Sequence, residues 1–544
     1  MPQRFSRRTF LRHIGVGTGA MAWVASGLKV AGATTLDPRS LKSPSRLDQT
    51  SFSYWGLFNQ NVSATLKSYN DMLCYQELEK RTGVHINFQL ISDQGAAQNT
   101  DQFNLLIASG QYPDMIEWNW VTAPGGPGKY LSDNVILKLN DLVDKNAPNL
   151  KKVLDANPEW RKQVVTDDGT LYCFPFLRGD LELQVFQGPI IRKDWLDKVG
   201  LPIPTTMDDW HTMLTAFKTK DPNGKGNEVP FTSSLYNVPL NAFLNAYAYV
   251  GAWGIAMDWY QDKGVVKYGL VQPEFKEFLA TMAQWYKEGL YDVDFPTMDT
   301  KLEDAKVTGN QLGAFVQNTG GGIGKYLGLM HSKDPNFELV AAPYPVLKSG
   351  DKPLLGQRDP VYAADGSLAI TSACKDPVAA VKWADYAYSN EGHLLFNFGV
   401  EGDTYTVVNG KPIYTDKVMK DPKLAVQQSM ARFTRSDFNG PFVQDKGYIE
   451  QYASLPEQQD SLKVWAQPTN ERRMPPVTQT QDESKQFASI MNDVNTLRDE
   501  AVIKTIVGQS SVSDWDSVVA QLQQIGIDTA VKLRQAALDR YNAR

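Results

Sequence analysis

The chain has 544 residues, 42% hydrophobic and 21% charged, with a formal net charge of −6. That length exceeds what a single hydrophobic core serves, so two or more domains are expected. The acidic balance repels phosphate backbones and acidic membrane surfaces, which argues against nucleic acid as a partner.

At the N-terminus, Arg7 and Arg8 precede Thr9-Phe10-Leu11 and an apolar stretch over 14–28. The stretch is about 15 residues, short of the ~20 that a spanning helix needs, and Gly15, Gly17, Gly19 and Gly27 dilute it. Ala31-Gly32-Ala33 then offers a small-residue cleavage site. Charged start, short apolar core and small-residue exit make a secretory signal, and the arginine pair makes it a twin-arginine one. Residues 1–33 are thus expected to be a cleaved signal peptide and 34–50 a polar linker. No cysteine near the cut offers a lipid attachment, so the mature protein is expected to be soluble outside the cytoplasmic membrane.

A first strand is expected over 52–57 and a helix over 68–81, stopped by Gly83. Val84, Ile86, Phe88 and Leu90 alternate with His85, Asn87 and Gln89, the period of a half-buried strand with His85 on its polar side. A helix over 101–109 and a strand over 115–118 complete a β-α-β-α-β opening, the start of a parallel doubly wound lobe. Ligands of such sheets sit beyond the C-terminal strand ends. That points to Trp55 and Asn59 after the first strand, and to Glu117 and Trp118 at the third.

Further on, a strand over 185–191 leads into a helix over 193–199, stopped by Gly200. Thr206 caps the next helix, with Asp208 and Asp209 in its first turn. Helices over 273–288 and 377–389 follow, the latter opened by Asp376 and Pro377. Strands are expected over 312–317, 337–342 and 367–371. The tail from 483 is helical, with Ser513 capping a segment that continues past Gly526 to Tyr541.

Cys74, Cys173 and Cys374 stand far apart, with no metal spacing, and are expected to be buried thiols. The five histidines form no H-E-x-x-H, and G-x-S-x-G is absent. The glycine run 320–324 before Lys325 fails as a phosphate loop, because Thr319 replaces its first glycine and Tyr326 its Ser/Thr. No cofactor, metal ion or catalytic residue is expected.

Several stretches resemble family 1 extracellular solute-binding proteins, and most nearly their branch of large lipoproteins for oligosaccharide or aldouronate uptake. They are Tyr112-Pro113-Asp114-Met115-Ile116-Glu117-Trp118, Ile191-Arg192-Lys193-Asp194-Trp195-Leu196, Asp221-Pro222-Asn223-Gly224, Gly399-Val400-Glu401-Gly402-Asp403 and the segment from Ile525 to Tyr541. Their order spans about 50–544. Two features depart from that branch. The lipid-bearing cysteine is missing, and Lys225 occupies the fifth position of the Asp221 loop, where calcium would need oxygen.

The resemblance implies an α/β fold of the type II periplasmic binding protein class, two doubly wound lobes joined by a hinge. Lobe 1 is expected to hold 50–185 plus 345–400. Lobe 2 is expected to hold 186–344 plus part of 401–544, with the C-terminal helices packing across both. The implied protein is a monomeric substrate-binding receptor of an ABC importer, working with membrane permease subunits and closing on an oligosaccharide. Trp118 would stack on a sugar and Glu117 take its hydroxyls, with Trp55 and Asn59 beside them. Arg178, before the first crossing, would bind a uronic carboxylate bidentately or bridge the lobes, and Arg358 near the second crossing carries the same alternatives. Trp253 in an aromatic segment, and the amides of Gln317 and Asn318 at a strand end, complete the candidates. An exported glycosidase or lyase and a sugar sensor without transport are the rival readings, since a carboxylate pair is not visible in sequence.

Overall fold

The computed structural model describes residues 51–93, 96–233, 239–247 and 259–544. Its strands are β1 (Ser51–Phe58), β2 (His85–Ser92), β3 (Met115–Trp118), β4 (Phe174–Leu177), β5 (Gln187–Arg192), β6 (Val229–Phe231), β7 (Trp259–Asp262), β8 (Val265–Tyr268), β9 (Leu312–Asn318), β10 (Leu339–Ala341), β11 (Tyr362–Ile370), β12 (Tyr405–Val408) and β13 (Lys411–Tyr414).

The opening of the chain folds as its periodicity predicts. β1 runs parallel to both β2 and β3, and the first sheet has the order β2-β1-β3-β11-β4. β11 is antiparallel to β3 and to β4, so β1, β2, β3 and β4 end on one common edge. The second sheet has the order β10-β5-β9-β6, with β5 antiparallel to β9 and β10 and β6 parallel to β9. β6, β9 and β10 therefore end on the edge at which β5 begins. Residues 178–186 and 342–361 connect these two edges. Each sheet thus turns the edge that binds ligands in α/β proteins toward the crossings.

Helix starts follow local chemistry. Thr206 and Asp209 exchange bonds in a capping box before Met207–Thr219, and Asp376 caps Pro377–Asp385. The expected helix over 68–81 begins instead as a 3₁₀ turn, Tyr69–Asp71, followed by the helix Leu73–Thr82. The first amides of that helix donate to the carbonyls of Arg432 and Phe433, remote in sequence, at 3.0 and 3.1 Å. The tail also corrects its expectation. Ser511, not Ser513, caps the turn before Trp515–Ile525, and Gly526 at φ +115° breaks the helix before Ile527–Ala543. An L side chain rarely takes that backbone angle, so glycine sets the break.

Two large cores fill the two sheets' lobes, one built from 52–177 with 362–396, the other from 185–355 with the helical tail. A third core gathers residues 398–462 around Leu183 and Phe186 of the first crossing, with the tyrosines of the β12–β13 hairpin inside it. The tail belongs to the second core but reaches the first lobe. Arg540 and Arg544 both hold Asp167, and Arg544 donates to the carbonyls of Lys162 and Val165. Among the described residues no helix is long and apolar enough to cross a membrane. The cleavage and linker expectations, 1–33 and 34–50, lie outside the described residues.

Candidate functional site

Asn59, Glu117 and Trp118 stand at strand ends of the first sheet, whereas Trp55, expected after the first strand, lies within β1, paired with Gln89 and Ile116. Phe103 stacks on the Trp118 indole at 4.7 Å with planes 1° apart, and Trp55 leans on it at 5.6 Å. Trp118 keeps 9% of its surface exposed. Glu117 points into the lobe. Arg435, fully buried, donates to its two oxygens at 2.8 and 3.0 Å, and the Tyr54 hydroxyl bonds the second oxygen as well. Arg435 also reaches the Tyr75 hydroxyl at 2.6 Å. Burial disfavours its charge, but Glu117 and the surrounding tyrosines outweigh that and hold the guanidinium protonated. Asn59 caps the short helix Gln60–Ser63, its side-chain oxygen accepting from the amides of Asn61 and Val62. Three of the four sequence candidates here are thus engaged in the lobe's own packing and bonding, with Trp118 the one next to the edge.

The crossings bring Arg178 and Arg358 together. Arg178 donates to Asp359 at 2.8 Å and lies over the Phe176 ring at 4.7 Å. The pair ties the two crossings to each other beside the first sheet, Arg178 standing one residue after β4 and Asp359 three before β11. Gln184 donates to the Arg178 carbonyl and accepts from Arg358 Nε at 3.2 Å. Gln357 binds the Phe186 amide, the Gln184 carbonyl and Asp359. Arg473 arrives from the tail and donates to the Arg358 carbonyl at 2.6 Å. Burial lowers Arg178 and Arg473 to about 10 and lowers Arg358 too, while burial raises Asp359. The charges of Arg178 and Arg473 both act on Asp359 and draw its carboxyl back down. Among the described residues Arg358 meets no carboxylate; its one side-chain partner is the neutral Gln184.

On the second sheet, Gln317 donates to Glu303 at 3.1 Å and accepts from the Asn318 amide. Asn318 faces Gln187 across β5 and β9, and each carries a buried side-chain oxygen without a hydrogen-bond partner. The glycine run winds into a single wide turn, Thr319–Gly324, and Lys325 beyond it is held by Asp304 at 2.6 Å. Trp253 lies outside the described residues. In the Asp221 loop the Asp221 side chain accepts from Gly226 and that of Asn223 accepts from Lys225. Among the described residues no group of three or more His, Cys, Asp or Glu is placed to hold a metal ion.

Sequence reasoning missed Arg435, Gln184 and Asp359's dominant role. Arg435 is 318 positions from Glu117, and no local pattern signals such a pair.

Comparison with known proteins fits this geometry. The family model described as bacterial extracellular solute-binding protein matches residues 63–393. A fructooligosaccharide ABC transporter substrate-binding protein, FusA of Streptococcus pneumoniae, is 27% identical over 494 residues, covering 88% of each chain. The polygalacturonan/rhamnogalacturonan-binding protein YtcQ of Bacillus subtilis is 25% identical over 248 residues, 45% of this chain and 46% of its own. Among solved structures, the alginate-binding protein AlgQ2 without calcium ion superposes with a TM-score of 0.73 at 26% identity, covering 92% of this chain and all of that one.

Proposed function

The chain belongs to the family of bacterial extracellular solute-binding proteins, and from that premise we propose that it is the capture component of an ABC importer, taking an oligosaccharide between its lobes. Its fold is the type II periplasmic binding protein fold. The observation that carries the reading is the convergence of both sheets' ligand edges on the crossings, where Arg358 sits half-buried beside a neutral partner. A glycan lying there touches both lobes at once. It binds the closed arrangement better than the open one and shifts the population toward closure. A micromolar receptor needs only about 8 kcal/mol net, which a few hydrogen bonds and one aromatic face supply.

The charge of the crossings favours a glycan with a carboxylate. Arg178 is neutralised by Asp359, while Arg358 has surplus charge to offer in a partly desolvated setting, where a guanidinium–carboxylate fork is strong. Alginate and polygalacturonan, named for two of the relatives, are polyuronates; fructooligosaccharides, named for another, are neutral. In this reading the protein is exported through its arginine-pair leader, acts as a monomer outside the cytoplasmic membrane, and presents its closed form to the permease subunits. Its ligand leaves chemically unchanged.

The test is a thermal-shift screen with kestose, maltotriose, trigalacturonate and mannuronate trimer. A ligand that binds only the folded state raises the melting point with occupancy. Acidic trimers are expected to stabilise the protein more than neutral ones, and Arg358→Ala to remove the difference. No shift with any glycan, or cleavage of the bound sugar, overturns the proposal.

A further inference from the structure

We infer that Asp365, steadied by Asn119, is a hydroxyl-binding carboxylate on the lobe 1 side of the cleft; this rests on the glycan-capture reading above. The local backbone exists to turn that side chain outward. β11 loses register between Ala363 and Leu368 against β4, and Asp365 sits at the crest of the irregularity. Gly366 makes it possible. Its φ is +82°, and a β-carbon there would stand 2.5 Å from the Gly440 amide nitrogen. Bulges of this kind bend a strand and re-aim one residue.

The bulge is braced on both sides. Ser367 donates to the Ala364 carbonyl at 2.7 Å and meets the Tyr362 hydroxyl at 2.8 Å. The Trp120 indole donates to the Ser367 carbonyl at 3.1 Å. Ser367 pairs with Trp118 in the sheet, so the crest lies just past the C-terminal end of β3, on the ligand edge. There Asn119 donates to Asp365 Oδ1 at 2.7 Å, while its own oxygen accepts from the Thr122 amide.

This leaves Asp365 exposed, fixed by one bond and with Oδ2 unpartnered among the described residues. It lies three residues after the start of β11, next to the second crossing, and the Arg178 amide of the first crossing donates to the Val361 carbonyl there at 2.9 Å. A carboxylate accepts hydrogen bonds and donates none. Its natural ligand is a pair of donors, and neighbouring hydroxyls on a sugar ring are such a pair. The same charge repels a uronate carboxylate placed at that spot. Asp365 thus sets the polarity of the bound chain: a hydroxyl-bearing face against β3 and β11, any carboxylate against Arg358.

The test compares wild type, Asp365→Ala and Asp365→Asn by titration calorimetry against every trimer from the screen, neutral or acidic, that binds wild type. A hydrogen bond to a charged group is worth a factor of roughly ten to a hundred in affinity. Asp365→Ala is expected to lose that much. Asp365→Asn, which keeps the acceptor for Asn119, is expected to lose less and to lose least toward the acidic trimers. Melting curves without ligand check that both variants fold; Asp365 is exposed, so no large change is expected. Binding by both variants within twofold of wild type overturns the assignment while leaving the capture reading intact. Failure of wild type to bind any trimer removes both.

Discussion

Glu117 and Arg358 began with similar standing as polar residues near strand ends or crossings, yet their surroundings differ in kind. Around Glu117 both oxygens are engaged: Arg435 takes each of them and Tyr54 shares one. Around Arg358 the guanidinium is half-buried with one neutral amide partner. The first is a buried ion pair whose carboxylate is held through both oxygens, the arrangement that fixes a strand end in place. The second has bonding capacity in reserve. The difference teaches that position beyond a strand end is not sufficient for recognition; unspent donors or acceptors are also needed.

Four experiments break or sharpen that contrast. The largest effect is expected from Arg435→Met, which strands the Glu117 carboxylate in the core. Breaking such a pair costs about 3–5 kcal/mol, visible as a lower urea midpoint, and Glu117→Gln added to it recovers part of the loss. Next, Trp118→Ala removes an indole stacked on Phe103, and a cost of about 3–5 kcal/mol in stability is expected. If its melting point stays put while glycan affinity falls, Trp118 belongs with Arg358 instead of with Glu117. Third, Arg358→Ala is expected to change the urea midpoint by only about 1 kcal/mol, since it gives up one hydrogen bond to a neutral amide, and to weaken acidic glycans about tenfold or more.

The smallest effect concerns Glu303, the partner of Gln317. Burial pushes its carboxyl up to about 7, against bonds from Tyr326 and Gln317 that pull the other way. The native state therefore keeps a proton that the unfolded chain gives up near 4.5. Stability contributed by that proton is full below the unfolded value and is lost as pH rises through about 7. Glu303→Gln keeps an acceptor for both neighbours, so the difference in melting point between wild type and variant should grow from pH 5 to 7.5 and then level. A flat difference would show that Glu303 is ionised throughout.

Much of the fold was legible because its signals are local. β3 occupies Met115–Trp118 and the following lobe's first helix Lys193–Val199, both as periodicity and glycine stops predict. Thr206 and Asp376 cap the helices they were expected to cap. The break at Gly526 was missed because glycine is tolerated within helical patterns, and its backbone angle is not written in its neighbours. The site was less legible for a physical reason. Whether Glu117 is available depends on Arg435, and whether Arg178 is available depends on Asp359, and both partners are remote in sequence. Asp365 gave no signal at all, since its exposure results from Gly366 meeting Gly440 across the lobe.

The three cysteines have a practical consequence. Cys74, Cys173 and Cys374 are buried, and burial pushes each thiol up to about 12. At neutral pH none presents the thiolate that maleimides attack. A fluorophore pair attached to one engineered surface cysteine on each lobe would therefore report distance against a dark native background, and the proposed closure could be timed without first stripping the chain of its own sulfur.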